Sequence, residues 1–535
     1  MLITPNSRII LLKNPIEMDN LNQLTFSNAT AQYNYFYGLS KLECENATYQ
    51  RKDGVIRFPT DPELSGTTYE DLLQYNYCMY QNTAWDNKWF YAFIKKITFD
   101  NPGMSLIEIE TDVYQSWMFE ITWKKCFVER EHVNNDTRGL HTIPENLELG
   151  EPIQCGDPVE LFSRGYMTYI CIACTEVADN TPHVSDNRTF NGVYSGLYYL
   201  LFSTSADASK YIHALDELGK ADSISSVFLI PTDFQFSTTW YEATLGSYTF
   251  EFAVLDESGY HKVLADNQQV TLLNTIGNNY TPKNNKLFTW PYNYFYLSNH
   301  VGTDVTFKYE DFSGTPSFRV IGAVTPGCSI KCIPLNYKNT SDTSSSFKSF
   351  NYGVNAGKYP ICSWNSDVYT NWLTQNGVNI GLDILGSTMS ATTGLVSGNV
   401  ASTLQGGLAI ANTLGEVYKH SLTPNQARGN TNSGDVTFSS QELIFTCYRM
   451  SLRNEYAKII DDYFSAYGYK VNEYKIPNLT GRTNWNYVKT IGCNILGNIP
   501  QEDINKIKEI FNNGVTLWHN PSTFLDYSQS NNIVT

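Results

Sequence analysis

The sequence predicts a mainly β protein with a few helices, and three observations carry that expectation. Aromatic residues make up 14% of the chain, with 37 Tyr among them, and such side chains fit the pleated, half-buried surface of a sheet. Short runs with apolar alternation recur between Asn, Asp, Gly and Ser turns. Sustained helical spacing, by contrast, is concentrated towards the C-terminus. A length of 535 residues, with 42% hydrophobic and 17% charged residues, suggests roughly two to four globular domains.

The first 60 residues read as strands at Arg8–Leu12, in the Tyr-rich Gln32–Tyr37 and at Val55–Phe58, the last closed by Pro59. A hairpin follows: Asn87–Phe99, a turn at Asn101, Pro102 and Gly103, then Ser105–Glu110. There Leu106, Ile107, Glu108, Ile109 and Glu110 keep a period of two with one wet face. Asp112–Phe119 reads as a turn of helix presenting Val113, Trp117 and Met118, and Trp123–His132 as a third strand, completing a meander. Loops from about Asn134 mark a boundary.

Between there and residue 365 lie β-like runs at Tyr166–Glu176, Gly196–Ser203, Ser247–Leu255, Val305–Tyr309 and Phe318–Val324. No fixed-period repeat is present, which argues against a propeller or solenoid. One helix is expected at Ser205–Leu218, stopped by Gly219. Further on, Tyr456, Ile459, Ile460, Tyr463, Phe464 and Tyr467 fall on one helical face within Arg449–Tyr467, and Gly468 supplies the stop. A second helix, Gln501–Asn512, begins after Pro500 with Glu502 and Asp503 in its first turn and ends at Gly514. Tyr469–Lys475, Trp485–Ile491 and Val515–His519 read as strands.

The most unusual stretch is Ile384–Gly415, which holds no charged residue, His, Pro or aromatic ring. Nineteen of its 32 residues are Gly, Ala, Ser or Thr. Ile384, Leu385, Met389, Leu395, Val396, Val400, Leu404, Leu408, Ile410 and Leu414 are spread through it. It escapes the roughly 2.5–3.5 kcal/mol that each Asp, Lys or Arg costs at a bilayer centre. Its six glycines, each worth about 1 kcal/mol against a helix, break any run of some 18 apolar residues. A segment sheltered first and exposed to lipid later is one reading; a passive Gly/Ser/Thr linker is the other.

A net charge of −16 without clustered Lys or Arg argues against a nucleic-acid reader but leaves room for a passage that does not hold DNA. Eleven irregularly spaced cysteines suggest no disulfide framework, and the short apolar run Ile9–Leu12 is not a secretory signal, so a reducing cytoplasm is expected. Cys171, Cys174, Cys328 and Cys332 read as buried thiols. The eight histidines show no metal-ligand spacing, and no nucleophile elbow, phosphate loop or dinucleotide fingerprint appears. No catalytic residue, metal or cofactor is therefore expected, although a pair of glycosidase carboxylates could lie anywhere among 53 acidic residues. Glu129 and Glu131 on one strand face, with Arg130 and His132 on the other, read as a solvated face or a subunit salt bridge.

Several words then share an order with one family. They are Gln32-Tyr33-Asn34; Asn87-Lys88-Trp89-Phe90-Tyr91-Ala92-Phe93; Asp112-Val113 with Gln115 and Trp117-Met118-Phe119; and Arg130-Glu131-His132-Val133. Near the end come Tyr467-Gly468-Tyr469-Lys470, Pro477-Asn478-Leu479, Asn486-Tyr487-Val488, Asn513-Gly514 and Thr516-Leu517-Trp518. In this the chain resembles the tail-knob or distal tail-tube proteins of small short-tailed bacteriophages with protein-primed replication. The likeness covers about the first 135 and last 90 residues.

The resemblance implies residues 1–135 and 431–535 as two parts of one β-rich tail-tube domain, a multi-subunit β-barrel. It also implies a β-rich knob or insertion domain over 136–365 and a plug or membrane-active loop over 366–430. The function it implies is a structural virion protein at the tail tip: a homohexamer that conducts double-stranded genomic DNA without specific binding. Its loops first plug the lumen and then enter the host cytoplasmic membrane. Implied partners are an adjoining tail tube or collar protein and host cell-wall components. Two alternatives stay open, a tail-associated wall-degrading enzyme on a β scaffold and a receptor-binding adaptor with a passive linker.

Overall fold

The computed structural model describes residues 7–47, 50, 52–61, 63, 66–161, 168–177, 189–190, 193–194, 197–231, 239–255, 263–300, 302–322, 330–338, 352–356, 361–365, 428–429 and 445–534. The chain is mainly β and divides into two compact units. Met1–Glu148, Pro282–Leu287 and Glu455–Thr535 make the first; Leu149–Thr281 and Phe288–Asn454 make the second.

The first unit contains a six-stranded antiparallel sheet ordered Lys41–Ala47, Ser7–Leu12, Tyr77–Gln81, Phe90–Asn101, Met104–Thr111, Val55–Pro59. The expected hairpin lies inside it, and the alternation holds: Ile107 and Ile109 are buried while Glu108 is exposed. Its five-stranded companion joins the two ends of the chain, in the order Asn22–Leu24, Val515–Trp518, Trp485–Ile491, Cys126–Glu131, Tyr469–Lys475. Asn22–Leu24 runs parallel to Val515–Trp518, a pairing no local turn could make. The helix Gln501–Asn513 buries Ile504, Ile507, Ile510 and Phe511 in the same apolar cluster as Ile9, Val113 and Trp117.

Three local expectations change here. Gln32–Tyr37 is not a strand: Ala29–Gly38 is a helix, capped by the Asn28 side chain accepting from the Ala31 N–H at 2.8 Å. The alternating tyrosines imitate a strand, but the buried residues are Gln32 and Phe36, one helical turn apart. The third strand does not extend a meander either. It breaks into Thr122–Trp123, paired with Ile495–Leu496, and Cys126–Glu131, which lies between two C-terminal strands. Finally, Arg449 belongs to the strand Thr446–Ser451, and the helix begins only at Asn454. It buries Ala457, Ile460, Asp461 and Phe464, while Ile459 is 68% exposed.

The second unit holds a seven-stranded sheet that includes Thr168–Cys174, Tyr198–Phe202, Ile224–Pro231 and Tyr248–Val254. The helix Ser205–Glu217 buries Ala208, Tyr211, Ile212 and Leu215 in its core and ends before Gly219 at φ +67°. Smaller sheets carry Asn293–Ser298, Asp304–Phe307 and Thr446–Ser451, and Val263–Gln269, Ser317–Gly322 and Ile330–Pro334. The strand Thr446–Ser451 belongs to this unit, whose C-terminal division from the first falls at Asn454/Glu455. Pro282–Leu287 joins the first unit because Asp461 accepts from the Lys283 and Asn284 amides at 2.7 and 3.0 Å.

Candidate functional site

All ten loop residues, Ile384, Leu385, Met389, Leu395, Val396, Val400, Leu404, Leu408, Ile410 and Leu414, lie outside the described residues. Among the described residues no helix is long and apolar enough to cross a membrane. What the structure does assemble are residues from both ends of the chain, among them Gln32, Gln115, Trp117, Glu131, His132, Asn478 and Tyr487, in two buried polar knots of the first unit.

The first knot is built on glutamines. Gln32 Nε2 donates to the Gln115 carbonyl and side-chain oxygens at 2.8 and 2.9 Å, and Gln115 Nε2 donates to Gln23 Oε1 and the Leu24 carbonyl at 2.9 and 2.8 Å. Beside it Asp112 caps the helix Val113–Trp117 by accepting from the Gln115 N–H at 3.1 Å, and Tyr77 donates to its other oxygen at 3.0 Å. Burial pushes the Asp112 carboxyl up to about 6. Trp117 then donates through Nε1 to the buried Asp503 at 2.9 Å, tying this N-terminal segment to the last helix; Lys52 forms an ion pair with the same carboxylate.

The second knot corrects the expected solvated face of Glu129–His132. A bulge lies between Arg130, opposite Lys489, and Val128, opposite Thr490, so alternation slips by one residue at Glu129. Glu131 therefore points inward with Cys126 and Val128 and is fully buried. It accepts from the Asn478 N–H at 2.8 Å and pairs with Lys475 at 2.5 Å. His132 is also buried, taking the Tyr487 N–H on Nδ1 at 2.8 Å with Nε2 3.1 Å from the Ser465 carbonyl. Desolvation, with Arg482 and Arg130 nearby, depresses its imidazole to about 3, and burial alone takes His519 to about 4.

Gly468 and Gly514 do more than stop helices. At φ +64°, a Cβ on Gly468 would stand 2.2 Å from the Glu131 carbonyl oxygen; at φ +96°, one on Gly514 would stand 2.2 Å from the Tyr487 hydroxyl. Sequence reading missed the partners Glu145, Asn284 and Lys286: Glu145 pairs with both Arg130 and Lys286, and Lys286 is 1% exposed. Only a Lys and a Glu in a polar loop were visible there, and nothing local marks them as buried.

Among the described residues no group of three His, Cys, Asp or Glu side chains could hold a metal ion. Cys171, Cys174 and Cys332 are buried, with thiols raised by desolvation, Cys174 to about 12; Cys328 lies outside the described residues. The polar core of the first unit is committed to joining the two ends of the chain.

Comparison with known proteins gives this scaffold a family. Residues 256–532, just over half of the chain, match the family model of the C-terminal domain of the Bacillus phage phi29 tail knob protein gp9, and residues 5–124 match the caudoviral major tail protein N-terminus. The tail knob proteins gp9 of Bacillus phages B103 and phi29 are each 24% identical to this chain, over 97% of both chains for B103 and over 95% of this chain and 96% of the relative for phi29. The bacteriophage C1 tail knob protein gp12 shares the fold, with a TM-score of 0.62 at 15% identity over 99% of this chain and 100% of that one. The chain belongs to the tail knob family of phage tail structural proteins, and it is not an enzyme.

Proposed function

We propose that this tail knob protein forms the distal end of a phage tail as a homohexamer. The first unit supplies a tube wall through which double-stranded DNA passes without specific binding. The second unit forms the knob around residues 136–365, and an adjoining tail tube or collar protein continues the conduit. In this reading Ile384–Gly415 plugs the lumen and then enters the host cytoplasmic membrane during genome ejection. The chain is made in the host cytoplasm and contacts cell-wall components on the way in.

The observation that supports membrane entry is the charge-free, aliphatic-studded character of that run in a chain of net charge −16. In lipid its backbone groups must be satisfied by helix formation or by association of copies, and small residues favour close helix approach. Leu395→Asp with Leu404→Asp adds a cost of roughly 2.5–3.5 kcal/mol per charge at the bilayer centre, so dye release from liposomes should fall sharply while assembly is kept. Deleting residues 384–415 should act in the same way. A double mutant that permeabilises liposomes as well as the parent would make the segment a linker.

A further inference from the structure

Three basic residues stand in register across neighbouring strands of the first unit: Lys489 opposite Arg130, and Arg130 opposite Lys470. Like charges directly opposite one another destabilise a sheet, so such a row in an acidic chain calls for a compensating anion. The counter-ions present are too few. Glu129 pairs with Lys489 at 3.0 Å, and Glu145 is shared between Arg130 and the buried Lys286. Among the described residues no carboxylate is paired with the Lys470 amine. Among the residues that line one cleft of the first unit, the three cations Lys489, Arg130 and Lys470 face the two carboxylates Glu129 and Glu145.

Glu129, Arg130, Glu145, Lys470 and Lys489 line this solvent-open cleft of about 420 Å³. Its aromatic wall is Tyr463, Tyr467 and Tyr487, with ring centroids 5.3 Å apart for the first two and 5.2 Å for the last two. The Arg130 guanidinium lies 4.8 Å from the Tyr463 ring centre. Tyrosine faces pack on the C–H faces of sugar rings while their hydroxyls meet sugar hydroxyls. An unpaired ammonium beside them holds an anionic group. Duplex DNA fits poorly, because its rings are stacked inside the rod and its phosphates call for an extended line of cations.

We propose that this cleft binds an anionic saccharide, its sugar ring against Tyr467 and its phosphate or carboxylate at Lys470, with Arg130 held in place by Glu145 and the Gly468 carbonyl. The inference is independent of the loop and of the tube. Calorimetric titration of the full chain with glucose 1-phosphate, glucuronate, glucose and inorganic phosphate tests it. At least one charged sugar should bind about tenfold more tightly than glucose or phosphate alone, equivalent to about 1.4 kcal/mol. The first two probes distinguish a phosphate from a carboxylate. Lys470→Gln and Tyr467→Ala should each weaken that binding about tenfold with unchanged melting temperature. No binding of either charged sugar, equal binding of phosphate alone, equal binding of glucose, or displacement of the sugar by a short DNA duplex would each overturn the proposal. So would full binding by both variants.

Discussion

At the scale of single residues, the decisive constraints are steric and protonic. Gly468→Ala would press a Cβ against the Glu131 backbone in a left-handed conformation, whereas Gly492, at φ +67°, has open space around it. The first substitution should therefore cost more than the roughly 1–2 kcal/mol of a left-handed alanine, and Gly492→Ala only about that much; urea denaturation of the two variants measures the difference. Acid should also weaken the fold through its buried histidines. His132 and His519 have folded pKa values of about 3 and 4, below the ordinary 6.5, so their contribution is full above 6.5 and is lost as pH falls towards those values. Asp112, raised to about 6 from 3.8, opposes this, since its neutral form is favoured in the fold and stability drops as pH rises through that window. Burial raises the Asp136 and Glu310 carboxyls as well, so the test is a difference between proteins: His519→Gln should lose less stability than the parent between pH 6.5 and 4 in urea denaturation. An unchanged slope in that variant would mean that His519 stays exposed to protons in the fold.

At the scale of elements, periodicity was reliable where one face is dry and failed where a polar contact decides. The hairpin and the helix Gln501–Asn513 follow their patterns because their apolar residues face a single core. The helix Ala29–Gly38 escaped detection because its buried face is a glutamine and one phenylalanine, and Gln32 is held by Gln115 far along the chain. Strand Cys126–Glu131 hid its parity behind a bulge that only the partner strand reveals. The fully buried Ala92 sits opposite both Cys78 and Thr111 in an interior strand. Ala92→Pro removes a ladder donor there and should abolish folding of the first unit and therefore assembly. Circular dichroism and size-exclusion chromatography would report it, and native-sized particles from this variant would contradict that strand's interior place.

At the scale of the whole molecule, the proposed hexamer should appear in electron microscopy of the purified protein as a hollow sixfold ring, and a lone monomer at high concentration would overturn it. The sequence by itself determined the β-rich class, the two C-terminal helices, the family to which the words at both ends point and the loop's want of charge. The class, the helices and the want of charge are properties of local composition and spacing, which hydrophobic burial and chain stereochemistry translate directly into structure, whereas the family rests on resemblance. Tertiary structure alone decided that Asn22–Leu24 pairs with Val515–Trp518, that Pro282–Leu287 is captured by Asp461, and that Glu131 and His132 are buried. It also set Lys489, Arg130 and Lys470 in one row. Each of these joins residues far apart in the chain, and a buried polar group shows its partner only when the backbone that carries the partner has been brought beside it.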